Sequence, residues 1–285
     1  MDIREELTNV FRDTQNWLES SQNLKKAVEF SMMHEKLYLA EETPALPEKT
    51  PHDTKIHVSG DKSFQAAAKL RKKYPDARIA VHNFASATNP GGGVTRGSRA
   101  QEESLCRCST LYPCLTKGEL QRDFYLFHKN RHDVRYTDAC IWSPEILIIK
   151  NDDDIPERLP ESEFVKVDVL TCAAPNLRTK PYNAMNPGRG QAIQLTDREL
   201  GELHESRARH LLSVAAANGD EVLVLGAFGC GAFQNSPFVV AKAYQKVLNE
   251  PEFKDRFLHI EFAVYHTVRE TKNFDAFART FPDKS

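Results

Sequence analysis

Two glutamates stand side by side at positions 102 and 103, preceded by Gln101. Seven intervening residues separate Gln101 from three consecutive glycines, Gly91, Gly92 and Gly93. Each feature has its own chemistry. A carboxyl beside another carboxyl has a raised proton affinity, which a general acid working near neutral pH requires. Three glycines in a row pack nothing and are unfavourable unless a backbone must approach something closely. Successive N–H groups in such a loop form a nest for phosphate oxygens. Taken separately, the acids could be ordinary helix-start residues favoured by the dipole, and the glycines a flexible surface turn. Their closeness points instead to attack on a glycosidic bond of a phosphate-bearing sugar, with Glu102 and Glu103 as the acid–base pair.

A second glycine loop, Gly226-Ala227-Phe228-Gly229-Cys230-Gly231-Ala232-Phe233, follows the apolar run EVLVL and precedes Asn235, Pro237 and a helical pattern. Strand, glycine loop and helix start form an anion-binding arrangement. The dinucleotide fingerprint fails, because Gln234 stands where its third glycine belongs, and the P-loop fails for want of Gly-Lys-Ser/Thr. The loop is therefore a phosphate-contacting turn of another type, with Phe233 placed to stack on a sugar or base. Core packing is the competing role for Phe228 and Phe233.

Other clusters carry less. Cys106, Cys108 and Cys114, with His128 and His132 downstream, lack a C-x-x-C pair, and cysteines two apart on a helix face different ways. Buried thiols and no metal are expected. Asp152, Asp153 and Asp154 read as an acidic turn. The basic stretch Pro175–Gly190 is long enough to be a substrate-covering loop, with Tyr182 as a stacking candidate. His82 and His210 read as structural.

The elements that must position these residues alternate. Leu7, Val10, Phe11 and Leu18, then Leu24, Val28 and Met32, recur at helical spacing on either side of a Ser20-Ser21-Gln22-Asn23 break, predicting two N-terminal helices. Residues 41–54 hold three prolines and read as a connection. Strands are predicted at Lys55–Val58, Arg78–Phe84, Cys140–Ser143, Glu145–Lys150, Val165–Cys172, Glu221–Leu225 and Leu258–Tyr265. Helices are predicted at Phe64–Tyr74, Glu102–Tyr112, Asp197–Asn218, Pro237–Leu248 and Asn273–Phe281. The alternation implies an α/β sheet covered by helices, with function at the strand-end loops. Residues 1–54 form a helical extension packed on a core of 55–285.

Composition closes off other classes. With 38 Lys+Arg against 40 Asp+Glu, the formal charge of −2 argues against an electrostatic nucleic-acid binder. No uncharged apolar run approaches the roughly 18 residues of a spanning helix, and the acidic, amphipathic start is unlike a secretory signal. Six cysteines in 285 residues are too sparse for a disulfide scaffold. A soluble, cytoplasmic monomer is the expectation.

Together, Asn-Phe-Ala-Ser-Ala at 83–87, Pro90 and the three glycines, then Gln-Glu-Glu, resemble the signature of microbial (bacterial-type) poly(ADP-ribose) glycohydrolases. GAFGCGAF resembles the diphosphate loop of the same family, and YTDACIWSPE, the Asn151–Asp154 run and TCAAPN are further matches. The resemblance implies a macrodomain-like three-layer α/β/α sandwich with a mixed sheet and an N-terminal helical extension. It implies no cofactor and no metal, and ADP-ribose or poly(ADP-ribose) on modified proteins as the partner. By matching position, Glu103 would be the catalytic acid and base. Glu102 would position the terminal ribose, Gln101 would support the turn, and Asn83 would touch a ribose. Gly91, Gly92 and Gly93 would lie against ribose and diphosphate. Gly229, Cys230, Gly231 and Ala232 would donate N–H bonds to the diphosphate, and Phe233 would orient the distal ribose. After GCGAF this chain reads Gln234-Asn235-Ser236-Pro237, where the family commonly has Gly-Asn-Asp-Pro. A non-catalytic ADP-ribose reader, or a hydrolase removing single ADP-ribose units from protein or nucleic acid, would use the same loops. The reader would not need Gln-Glu-Glu.

Overall fold

The computed structural model describes residues 2–183, 188 and 190–282. Its strands are β1 (Lys36–Tyr38), β2 (Lys55–Ser59), β3 (Ile79–Phe84), β4 (Cys140–Ile148), β5 (Val165–Cys172), β6 (Val222–Leu225) and β7 (His259–Ala263). They form one sheet in the order β1-β4-β5-β3-β6-β7-β2. β5, β3, β6, β7 and β2 run parallel, while β4 pairs antiparallel with β5 and β1 antiparallel with β4. The central strands are apolar on both faces, with all four residues of β6 buried. Parallel strands need helices on both sides for this reason.

The helices supply those covers. α1 (Ile3–Ser20), α2 (Gln22–His34), α3 (Ser63–Lys73), α4 (Gln101–Cys108) and α5 (Leu111–Leu115) gather on one side. There Phe11, Phe64, Leu70, Leu105 and Leu111 pack with Ile79, Val81, Val169 and Val224. α6 (Gly118–Leu120), a π-helical turn (Gln121–Leu126) and α7 (Phe127–Arg131) follow. α8 (Asp197–Ala217), α9 (Pro237–Leu248) and α10 (Lys272–Thr280) cover the other face. Leu211, Leu212, Val240, Tyr244 and Phe277 meet Ala80, Leu170, Leu223 and Phe262 there. The result is a three-layer α/β/α sandwich with a mixed sheet. No described helix is long and apolar enough to cross a membrane.

The predicted elements differ from the structure where side chains or turns interrupt a pattern. The single helix expected over Glu102–Tyr112 is two, because Ser109 is extended and bridges to Ile148. The two strands expected at 140–150 are one, β4, with a register shift between Ser143 and Ile146, where Glu145 takes φ +55°. A β-bulge of this kind breaks a sequence alternation without ending the strand. β1 and the helical stretch 118–131 were not anticipated.

Residues 1–54 do more than sit on the core. Leu7, Phe11, Thr14 and Leu18 form the buried stripe of α1. Ser21 ends α1 through its N–H to the Trp17 carbonyl and caps α2 by accepting from the Leu24 N–H. Thr14 Oγ1 donates to the Arg107 carbonyl at 2.6 Å, fixing α1 to α4. β1 then extends the sheet, and the proline-rich connection leads to β2 at the opposite edge. It is tied down by His52 N–H to Asp255 O (2.8 Å) and Thr54 Oγ1 to Phe257 O (2.6 Å).

The loop leading to α4 passes close to α1 at Gly97, which has φ +68° and whose absent Cβ would lie 2.1 Å from the Arg4 carbonyl oxygen. Gly97→Ala should therefore cost at least about 2 kcal/mol, combining left-handed strain with a backbone clash. Urea unfolding reads this directly; an unchanged midpoint would contradict the packing of α1 on this loop.

Candidate active site

The site lies beyond the carboxyl ends of β3 and β6, adjacent parallel strands in mid-sheet. Loops following parallel strands converge at that edge, which is where α/β sheets bind ligands. A cleft of about 810 Å³ opens there, bounded by both glycine loops, the start of α4, the turn 152–154, part of the loop after β5 and the end of β7.

Gln101 begins α4 and locks it to β3. Its Oε1 accepts from the Phe84 N–H at 2.9 Å, and its Nε2 donates to the His82 carbonyl at 2.7 Å and to Ser63 Oγ at 3.0 Å. With the helix start fixed, Glu102 and Glu103 point into the first glycine loop and are 3% and 7% exposed. Glu102 accepts the Ser86 N–H (2.7 Å) and the Gly91 N–H (3.2 Å), one on each oxygen. Glu103 accepts the Gly93 N–H at 2.8 Å. Burial pushes both carboxyls above their ordinary range; for Glu102 the charge of Glu103 adds to it, while backbone N–H bonds pull the other way. The pair therefore holds a proton where exposed glutamates would not.

This geometry corrects the reading of the first loop as a phosphate nest. Its glycine N–H groups are already committed: Gly91 and Gly93 to the glutamates, and Gly92 to the Asn89 carbonyl at 2.9 Å. The triple glycine is needed for close approach. An added Cβ at Gly92, where φ is +57°, would sit 2.5 Å from Glu103 Oε1 and 3.2 Å from Glu102 Oε2. Gly92 lines the cleft, whereas Gly91 lies behind it against Tyr112 and Cys106. Asn83 is fully buried: its Nδ2 donates to Thr171 Oγ1 at 3.1 Å and its amide lies against Glu102, so it supports the carboxyl from beneath instead of forming cleft wall.

The second loop has the opposite character. The N–H groups of Gly229, Gly231, Ala232 and Phe233 find no acceptor among the described residues, and all four residues line the cleft. The Cys230 N–H, expected to face a ligand, is turned onto the Ala227 carbonyl at 3.1 Å because the chain makes a tight turn there. Phe228 is a core residue, 2% exposed, while Phe233 is half-buried at the cleft. Asn235 shapes the loop. Its Nδ2 donates to the carbonyls of Pro175 (2.7 Å), Gly229 (3.0 Å) and Phe233 (3.2 Å). Its Oδ1 meets His204 Nε2 at 2.8 Å. Since the amide nitrogen is engaged by carbonyls, His204 must donate through Nε2, and burial pushes the ring down to about 4, keeping it neutral. Gln234, which stands where a glycine was noted above, has φ +61°. The conformation is kept even though a side chain is present.

Asp152 accepts from Ser104 Oγ, and its carbonyl takes Lys62 Nζ at 2.8 Å, so the acidic turn is part of the cleft rim. The three cysteines of α4 and α5 are buried in the core. Tyr182 does not line the cleft; its ring lies against Gly188 and Gly190. Residues 184–187 and 189 of the covering loop are outside the described residues. Two wall residues had not been singled out. Tyr265 is 54% exposed just beyond β7, and an aromatic at a strand end is a weak sequence signal. Arg178 was visible only as one of several basic residues in its loop.

Protonation of the buried pair ties the site to stability. A glutamate whose folded value is raised contributes most below the ordinary value of 4.5, and that contribution is lost as pH rises through the raised value. Glu103→Gln removes this penalty while an amide oxygen can still accept the Gly93 N–H. Its melting temperature should exceed that of the wild type at pH 7–8, and the gap should close toward pH 4.5. A gap independent of pH would refute the raised affinity of Glu103.

Comparison with known proteins identifies relatives of this fold. The family model of the microbial-type PARG catalytic domain matches residues 7–151. A crystal structure of poly(ADP-ribose) glycohydrolase from Thermomonospora curvata bound to the inhibitor ADP-HPD is 33% identical, with TM-score 0.82 over 98% of this chain and 100% of that one. The Deinococcus radiodurans enzyme in complex with ADP-ribose is 34% identical, with TM-score 0.74 over 89% of this chain and 96% of that one. No curated protein sequence matches. A family model covering half the chain, and solved relatives aligned along nearly all of it, place this chain in the microbial-type poly(ADP-ribose) glycohydrolase family.

Proposed function

We propose that this chain hydrolyses the ribose–ribose O-glycosidic bond of poly(ADP-ribose) and releases ADP-ribose, with Glu103 as general acid and base. The observation that carries this reading is one cleft holding two buried, proton-retaining carboxyls at one side and a row of open backbone N–H groups at the other. The first can cleave a glycosidic bond, and the second can hold the diphosphate next to it.

In this reading the protonated Glu103 gives its proton to the oxygen leaving the anomeric carbon of the terminal ribose as an oxocarbenium-like centre forms. The resulting carboxylate then takes a proton from water, which adds to that carbon and completes hydrolysis. Assignment of the acid to Glu103 is supported by its place as the second glutamate of the family's Gln-Glu-Glu signature, with Glu102 held on both oxygens by backbone N–H groups. Glu102 positions the ribose. Gly92, lacking a side chain, lets the ribose approach the carboxyls. Gly229, Gly231 and Ala232 receive the diphosphate, and Phe233 packs beside the distal ribose.

Release of ADP-ribose from purified polymer tests the acid. Glu103→Gln keeps the size and removes the proton donor, so the rate should fall at least roughly 10²-fold with ADP-ribose affinity largely retained. Full activity in the variant would overturn the role of Glu103. Gly231 tests the cradle separately: it is exposed and nothing lies within 4 Å of its absent Cβ. Gly231→Glu should fold normally yet abolish ADP-ribose binding by placing a carboxylate at the diphosphate. Unchanged affinity would rule out this loop as the diphosphate site.

A further inference from the structure

We propose that Arg178 is the side chain that meets the charge of the bound diphosphate, completing the cradle of open N–H groups in the second glycine loop. The proposal rests on the reading of that loop given above. Arg178 lies in the loop after β5, and two contacts stitch it to the second glycine loop. The Leu177 N–H donates to the Phe233 carbonyl at 3.0 Å, and the Arg178 guanidinium sits 5.6 Å from the centre of the Phe233 ring. Both residues line the cleft. The cation is thus beside the open amides of Gly231, Ala232 and Phe233, on a residue neighbouring none of them in sequence.

Its orientation is fixed from behind. Nε donates to Asn176 Oδ1 at 3.2 Å and Nη2 to the Pro181 carbonyl at 2.5 Å. Asn176 is itself fully buried, donating through Nδ2 to the same Pro181 carbonyl at 2.7 Å. Nη1 is left without an acceptor among the described residues. A planar guanidinium held on one edge, with donors remaining, suits bidentate contact to phosphate oxygens.

The charge is also uncompensated. Of the other cations lining the cleft, Lys62 has Asp154, Arg4 and Arg99 are exposed to water, and buried Arg107 lies in the field of Glu103 and Asp152. Arg178 is half-buried, and no carboxylate among the described residues pairs with it. Burial accordingly pushes its proton affinity down. Half-burying a cation without a partner is costly, and an arriving anion removes that cost. Stapling the loop would explain the bonds to Asn176 and Pro181. It would not explain a charged group, since neutral donors make the same bonds without the desolvation cost.

Two substitutions separate these roles. Arg178→Met keeps the apolar stem on Phe233 and removes the charge; Arg178→Lys keeps the charge and loses the fork. For the full chain, Kd for ADP-ribose and KM for purified polymer should rise at least about tenfold in Arg178→Met, with kcat and melting temperature near wild type. Arg178→Lys should recover part of the loss. Affinity should also fall less steeply with added salt in Arg178→Met than in the wild type, because one screened ionic contact is gone. Wild-type affinity in Arg178→Met would overturn the proposal, as would a loss that tracks melting temperature and leaves the salt dependence unchanged. Gly231→Glu distinguishes the two levels of inference. If it binds ADP-ribose normally, the loop assignment fails and Arg178 falls with it. If it loses binding while Arg178→Met keeps it, only Arg178 is misassigned.

Discussion

Two carboxyl groups taken out of water impose the central constraint on this molecule. An unpaired buried carboxylate costs several kcal/mol, and a hydrogen bond to a charged group returns about 1.5–3 kcal/mol. Glu102 and Glu103 receive such bonds from backbone N–H groups that include those of residues 86, 91 and 93. Those amides converge only if the chain folds tightly over the acids, which leaves no room for a Cβ at Gly92. The tight fold needs α4 to start at a fixed place, which Gln101 ensures. It also needs the far side of the loop held down, which α1 does through Gly97, and through Thr14 bonded to the Arg107 carbonyl. Strand end, helix start and N-terminal helix all answer to the burial of two acids.

The two glycine loops look alike in sequence and divide the labour. One turns its amides inward onto carboxyls and tunes their proton affinity. The other leaves its amides outward for a ligand, its shape fixed by the side chain of Asn235. An anion can be held this way by dipoles with one well-placed cation beside them, so a chain of net charge −2 can handle a highly anionic polymer.

Much of this was legible. Strand β6 read as an uninterrupted apolar run, because both faces of a central parallel strand are buried. α8 and α9 were bounded by a capping Thr196 and by Pro237. The pair 102–103 stood out through its distance from the glycines. What was not legible depended on tertiary contact. β1 is three residues long, too short for a period. β4 is split by a left-handed Glu145 whose N–H is held by Asp168, a residue 23 positions away. Which glycine amides face a ligand and which face an acid is set by the course of the chain, not by residue type, so the first loop was misread as a phosphate nest. Arg178 and Asn235 draw their significance from partners on other loops, which no spacing encodes.

One further feature bears on how the enzyme endures chemical insult. All six cysteines are unpaired, and burial raises the pKa of every one, so none is a thiolate near neutral pH. Cys106, immediately beneath the glycine loop, is held protonated more firmly still by the charges of Glu102 and Glu103. Oxidants and alkylating agents attack the thiolate. Burial, joined by the acids that make the bond-breaking chemistry possible, thus disfavours the reactive thiolate of the sulfur under them.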